Sequence, residues 1–481
     1  MKEEWGILME GSSIRTRLNG LLGFEKTLKP EEVQGQIPTT GTIYRNTFNM
    51  AWPSALESVL VSLINSIDTI MVGGLGAAAI AAVGITTQPK FVLLVLIFSM
   101  NAGVTTVVAR RRGEQDARGA NRCLRQTVLL CAMLSTVMAV LGFLLAAPFM
   151  ALAGAGDDII EEAAAYFRIT MIGFPFMSLG LTINSAQRGA GNTKISMRTN
   201  LTANAVNLIL NYLLIGGNFG FPALGVRGAA IATIIGQFIG FLMSLRSVMV
   251  HHSFLQISFR ENWWFDRETM GAVAKISSGA VLEQLFMRIG FFTYSKIVAA
   301  LGTNDIATNQ ICSNIINLSF SFGDGFSIAV SSLVGQSLGA KRPDMAKIYV
   351  KSARRLMTVI SLGLCLFFFT GRYKLIQLFT TDPVIVEKGS QIMYLIALIT
   401  LIQTAALIYS GCLRGAGDAR YIALIALISI GIIRPISAWV LCYPCGLGLV
   451  GAWCSMLLDQ CIRWAFNYTR FRSGNWKKIK V

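Results

Sequence analysis

Several ionisable and amide-bearing residues of this sequence stand inside long apolar runs. In the first run, "WPSALESVLVSLINSIDTIMVGG", Glu57 and Asp68 are eleven residues apart. At about 100° per residue they fall within about 20° of each other, three turns apart on one helical face. Ser54, Val61 and Ile64 share that stripe. In the fifth run Asn200, Asn204, Asn207 and Asn211 recur at spacings of 4, 3 and 4, again on one face. Amide oxygens can coordinate a hard cation or hydrogen-bond a protonated carboxyl. The same amides also tie helices together in membranes, and both readings stay open for this stripe. Lys90 follows Pro89 in the second run, Glu283 and Arg288 lie in the seventh, and Asp324 lies in the eighth. Glu283 and Arg288 are five apart, about 140° around a helix, so they face different ways. A charge at bilayer depth is costly and either marks an ion or substrate path or pairs with an opposite charge. Glu57, Lys90, Asn204, Glu283, Arg288 and Asp324 are therefore candidates to line a cavity, with Lys90 and Arg288 expected to neutralise carboxylates.

The elements that hold these residues follow from composition. Of 481 residues, 53% are hydrophobic and 14% charged. A soluble chain carries about 25% charged residues. Runs such as "FVLLVLIFSMNAGVTTVVA" are long enough to cross a bilayer as a helix. About twelve such segments are expected, which makes the chain an all-α integral membrane protein; a β-barrel would show alternation instead. The net charge of +17 is not spread evenly. With the N-terminus inside, the loops on that side carry twenty Lys and Arg, among them Arg110, Arg111, Arg112, Arg188, Lys341, Arg342 and Arg414. The opposite loops carry four: Arg227, Arg372, Lys374 and Lys388. This asymmetry predicts both termini in the cytoplasm and a multi-pass protein of the plasma membrane. It also accounts for the basic charge without nucleic acid as a partner. "CYPC" (Cys442 to Cys445) lacks a second ligand pair, so no metal is expected.

The chain repeats itself. "RGAGNTK" from Arg188 and "RGAGDAR" from Arg414 share their first four residues and begin 226 residues apart. The same offset takes Glu57 to Glu283, Gly76 to Gly302 and Gly113 to Gly339. The expected architecture is twelve transmembrane helices in two six-helix lobes related by internal duplication. Its parts are a cytoplasmic extension (1–42), a first lobe with helices 1–6 (43–250), a linker containing His251 and His252 (251–271), a second lobe with helices 7–12 (272–470) and a basic tail (471–481). Six spans per half place the halves about an axis along the membrane normal, which suits alternating access to a central site. The asparagine stripe is absent from the second half, where Ala426, Ile430, Ile433 and Ser437 stand instead. The lobes have diverged in role. No enzyme is expected, since the spans hold no HExxH or Ser–His pair.

These motifs together resemble the multidrug and toxic compound extrusion (MATE) family of cation-coupled efflux transporters. The resemblance covers about residues 43 to 470. It rests on the first-span stretch quoted above, "VARRRGEQDARGANRCLRQ", "RGAGNTK", "GAAIAT", "LVGQSLGAKRPDMA" and "RGAGDAR" in that order. It implies export of amphipathic, often cationic, drugs or metabolites in exchange for protons or sodium ions, with no other cofactor. The family's first-span aspartate matches Asp68, and its first-lobe cation site matches Asn207, Asn211 and Thr233. Many members carry aspartate where this chain has Asn211. Family members that use a seventh-span glutamate place it about a turn beyond Glu283. A monomer in contact with membrane lipid and a small-molecule substrate is expected. The alternative is a flippase of lipid-linked oligosaccharide or another anionic lipid from the same superfamily, which would line its cavity with cations such as Lys90 and Arg288.

Overall fold

The computed structural model describes residues 30–156, 159–250, 253–258, 261 and 263–479, together with Phe24 and Leu28. His251 and His252 lie outside them. Among the described residues, twelve long helices make up the fold. The first lobe holds α1 (Thr40–Gly73), α2 (Ala77–Gly113), α3 (Ala117–Leu144), α4 (Ile160–Gly189), α5 (Thr193–Gly216) and α6 (Gly225–Met249). The second holds α7 (Arg267–Ala299), α8 (Thr303–Gly339), α9 (Pro343–Thr370), α10 (Pro383–Ala416), α11 (Ala419–Cys442) and α12 (Gly448–Ser473). α7 starts inside the expected linker, so residues 267–271 are helical. Among the described residues, nine helices are long and apolar enough to cross a bilayer by length and composition. The remaining three are α5, α7 and α12, and each carries polar side chains inward. These are the asparagines of α5, Glu283 of α7, and Asp459, Gln460, Arg463 and Asn467 of α12.

The duplication is visible element by element. α2 and α8 start at Ala77 and Thr303, α3 and α9 at Ala117 and Pro343, and α5 and α11 at Thr193 and Ala419, each pair 226 residues apart. A short helix, Ala146–Leu152, recurs as Arg372–Gln377 at the same offset.

The repeated Arg-Gly-Ala-Gly motif ends α4 and α10. Its last glycine, Gly191 or Gly417, has φ of +94° or +86°. There the N–H of Asn192 reaches the Gln187 carbonyl (2.8 Å), and that of Asp418 reaches Leu413 (2.9 Å). This is a left-handed helix stop that glycine tolerates best. The other glycine of each motif serves packing. A Cβ on Gly189 would stand 2.6 Å from the Thr105 carbonyl oxygen, and one on Gly415 would stand 2.2 Å from that of Ser331. Thr105 and Ser331 are again 226 residues apart. The motif is written twice because each lobe needs the same tight crossing, α4 on α2 and α10 on α8.

The lobes meet where α1 packs on α8 and α7 on α2. Hydrogen bonds between them gather at the end of the bundle that carries both termini. Arg110 Nη2 of α2 donates to the carbonyls of Ala416 (3.4 Å) and Ile479 (3.0 Å), and Gln336 Nε2 of α8 donates to that of Gly189 (2.9 Å). Arg110 and Gln336 are equivalent by the 226 offset. The chain before α1 crosses to the second lobe. Arg342 Nη2 donates to the Gln36 carbonyl (3.1 Å), and Glu32 pairs with Lys347 (2.5 Å) and Lys477 (3.5 Å). Phe24, Leu28 and Ile43 bury against Met345 and Ile348.

Gly415→Val places side-chain atoms against backbone and is expected to destabilise the protein by about 3 kcal/mol. Gly363→Val, where a Cβ meets nothing within 4 Å, should leave stability near that of the parent. Thermal unfolding of the detergent-purified variants tests this; equal midpoints for the two would refute the packing role.

Candidate functional site

Asp68 sits in the last third of α1 and faces α5 and α6. Its Oδ1 accepts from Asn211 Nδ2 at 3.0 Å. With the Asn207 amide turned so that its N–H₂ faces the carboxylate, that group donates to Asp68 Oδ2 at 2.9 Å. The Asn207 carbonyl then accepts from Thr233 N (3.1 Å) and Oγ1 (3.3 Å). The 4-residue spacing on α5 puts both amides on one face. The four residues matched to a first-lobe cation site are thus brought together. Asn211 Oδ1 is buried without a hydrogen-bond partner, a spare acceptor next to the carboxylate. Among the described residues Asp68 enters no ion pair.

Glu57, near the middle of α1, makes a different environment. Its Oε1 accepts from Arg188 Nη1 (3.4 Å), Ser196 Oγ (3.3 Å) and Asn200 Nδ2. Asn204 Nδ2 donates to the Asn200 carbonyl at 2.8 Å and does not reach either carboxylate. The asparagine stripe therefore divides, with Asn200 serving Glu57 and Asn207 and Asn211 serving Asp68. In the second lobe Glu283 Oε1 accepts from Arg414 Nη2 at 2.6 Å. Both Glu–Arg pairs span 131 residues, and each arginine opens one of the repeated motifs. Read as sequence, Arg188 and Arg414 counted only as basic loop residues. Their recurrence at a fixed separation from Glu57 and Glu283 was the available signal.

A cavity of about 340 Å³ lies between the lobes, with Phe98, Asn101, Arg188, Glu283, Asp324 and Arg414 in its wall. Asp324 enters no ion pair among the described residues. The expectation that Lys90 and Arg288 neutralise carboxylates is corrected here: no ion pair forms at either among the described residues. Glu57 and Glu283 are already matched by arginines of their own lobes. The exposed Arg288 instead stacks on Phe91 of α2, its guanidinium carbon 3.3 Å from the ring centroid. Phe91 in turn packs near Phe98 at the cavity.

A second cavity of about 450 Å³ lies within the second lobe. At its edge the fully buried Asp459 Oδ2 accepts from Arg434 (2.6 Å) and Arg463 (2.8 Å). These three residues were missed, although the test applied to the earlier spans, an ionisable residue at bilayer depth, also selects them.

Comparison with known proteins decides the family. The family model MatE matches residues 53–213 and again residues 280–440. The chain belongs to the MatE family. The two matches are the two halves of the duplication. Among relatives, the protein described as "Probable multidrug resistance protein NorM" from Thermotoga maritima is 27% identical over 467 residues, 95% of this chain and 97% of that protein. The "Uncharacterized transporter YisQ" of Bacillus subtilis is 26% identical, covering 89% of this chain and 94% of its own. The fold matches the crystal structure of MATE in the straight conformation with a TM-score of 0.85 at 21% identity, over 91% of this chain and 97% of that one. It also matches a MOP superfamily transporter from Pyrococcus furiosus, described as having a binding pocket of reverse polarity, with a TM-score of 0.84 at 20% identity over the same shares. Twelve helices in two lobes is thus the MatE fold.

The Glu283 side chain is 9% exposed and that of Arg414 33% exposed. Arg414→Gln strands a buried carboxylate and should cost about 3 kcal/mol of stability. Glu283→Gln leaves a guanidinium that faces the cavity and should cost less. The double variant is expected to be more stable than Arg414→Gln alone. Additive losses in a thermal-unfolding cycle would show that the pair does not act as a unit.

Proposed function

We propose that this chain is a secondary antiporter that exports amphipathic, cationic drugs or metabolites from the cytoplasm in exchange for protons or sodium ions. The observation that carries this reading is the division among its intramembrane carboxylates. Glu57, Glu283 and Asp459 each have arginine partners. Asp68 and Asp324 have none among the described residues, so these two remain for cations that come and go. Asp68 is held by neutral amides, and the spare Asn211 oxygen beside it suits either a protonated carboxyl or a hard cation. Asp324 faces the cavity between the lobes, where a cationic substrate would dock. Relatives named for multidrug resistance support the substrate class.

Neutralising Asp68 removes a charge from the α1–α5–α6 contact and changes what Asn207 and Asn211 must hydrogen-bond. α1 also packs against α8, so a shift of α1 is transmitted to the lobe boundary and to the substrate cavity. The lobes are tied at the end that carries both termini, which this reading places in the cytoplasm. Opening to the cytoplasm requires the bonds of Arg110, Gln336 and Glu32 across the lobes to break. The flippase alternative is weaker, because the wall of the cavity between the lobes sets two carboxylates, Glu283 and Asp324, beside its two arginines, Arg188 and Arg414.

Proteoliposomes loaded with a cationic fluorophore test the proposal under an imposed proton gradient and an imposed sodium gradient in turn. One gradient should drive export, and Asp68→Asn should reduce it to the level of empty liposomes. Asp324→Asn should keep coupling but raise the half-saturating dye concentration by about tenfold, the worth of one charge-assisted contact. Dye movement under neither gradient would reject the antiporter reading.

A further inference from the structure

The last turns of α2 and α8 meet back to back at the end of the bundle that carries both termini. A Cβ on Gly113 would stand 2.0 Å from the Gln336 carbonyl oxygen, and one on Gly339 would stand 2.1 Å from that of Arg110. This seam must part if that end is to open. Two segments outside the long helices join the lobes beside it.

The first is the arm before α1. Gln34 N donates to Asp344 Oδ2 (3.3 Å), the Gln36 carbonyl accepts from Arg342 Nη2 (3.1 Å), and Glu32 Oε1 accepts from Lys347 Nζ (2.5 Å). All three partners stand at the start of α9, in the second lobe. The Asp344 carboxylate is fully buried and is itself held by Arg342 through Nε (2.9 Å) and Nη2 (2.8 Å). The second segment is the tail after α12. Its Trp476 is fully buried and stacks on Phe471, and Arg110 of the first lobe holds the Ile479 carbonyl. Lys477 Nζ of this tail lies 3.5 Å from Glu32 Oε1. One carboxylate, that of Glu32, thus joins the first-lobe arm to α9 and to the second-lobe tail.

The duplication contains the same arrangement a second time. The linker before α7 is the counterpart of the arm before α1. It packs on α3 of the first lobe, with Leu255 and Ile257 buried in one cluster with Cys123 and Leu124, and Gln256 N donating to Asn121 Oδ1 (2.8 Å). Asn121 of α3 and Lys347 of α9 are equivalent by the 226 offset. The first helix of each lobe is therefore preceded by an arm seated on the third helix of the other lobe. The arms differ in one respect. The linker runs on from α6 and joins the lobes by covalent bonds. The arm before α1 joins them by contacts alone, and contacts can break.

We propose that residues 30–37 and 474–479 form a clasp whose release sets how readily this end of the bundle opens, with Glu32 as its fastening. The Glu32, Lys347 and Lys477 side chains are all partly exposed. Ion pairs of this kind are individually weak and are screened by salt. They suit a fastening that opens in every cycle, whereas the fully buried Arg434–Asp459 pair stays within one lobe. The clasp deepens the export reading and rests on it only for the side of the membrane and the direction of transport.

Hydrogen–deuterium exchange of the full-length protein in detergent tests this without any transport. Glu32→Gln should speed exchange about threefold in the seam, residues 106–113 and 332–339. The opposite ends of α1 and α7, residues 66–73 and 292–299, should exchange as in the parent. Raising salt from about 0.05 M to about 0.5 M should speed the seam more in the parent than in the variant, whose fastening is already lost. Three results would each overturn the clasp: an unchanged seam in Glu32→Gln, equal acceleration at both ends of the bundle, or the same salt response in parent and variant. A protein that passes these tests yet moves no cationic dye would keep the clasp and lose the export reading. A protein that exports dye and fails them would lose the clasp alone.

Discussion

A hydrocarbon interior offers no water to a carboxylate, and the whole arrangement of this protein follows from that constraint. A buried carboxylate must be met by a fixed cation, by neutral hydrogen bonds, or by a cation that visits. Glu57 and Glu283 take the first solution, each with the arginine that opens the helix-ending motif of its own lobe. Asp459 takes it twice over. Asp68 takes the second, with two asparagines and a threonine behind them. The Glu–Arg pairs tie the first helix of each lobe to the fourth. The tight crossing made by the motif's glycines then fixes the fourth helix on the second. Charge pairing and close backbone packing thus converge on one seven-residue loop, which explains its survival in both copies.

Much of this was legible in the sequence. Length, apolar runs and the distribution of basic residues specified a membrane bundle, and the repeated motif specified two like lobes. Helical periodicity placed Asn207 and Asn211 on one face of α5, and the structure turns that face toward Asp68. Thr233 came from family resemblance alone, since nothing in its local pattern distinguishes it from a packing threonine. Less legible were contacts between distant helices. Periodicity says which residues share a face and is silent on which face meets which. Arg188 and Arg414 therefore passed as loop charges, and Lys90 and Arg288 were assigned carboxylate partners already taken. The polar face of α12, with Trp453, Gln460, Arg463 and Asn467 at helical spacing, was readable by the same rule that found the α5 stripe.

The two lobes use one scaffold for opposite electrostatics. Where the first lobe sets glycines on α6 and draws α5 close, the second sets Asp459 and Arg463 on α12 and leaves a cavity. Where the first offers Asp68, the second offers Tyr294. In the first lobe Asp68 enters no ion pair among the described residues, while Glu283 and Asp459 of the second lobe are held by arginines. The lobes meet where α1 packs on α8 and α7 on α2, so the helix that carries Asp68 is also one that packs on the second lobe.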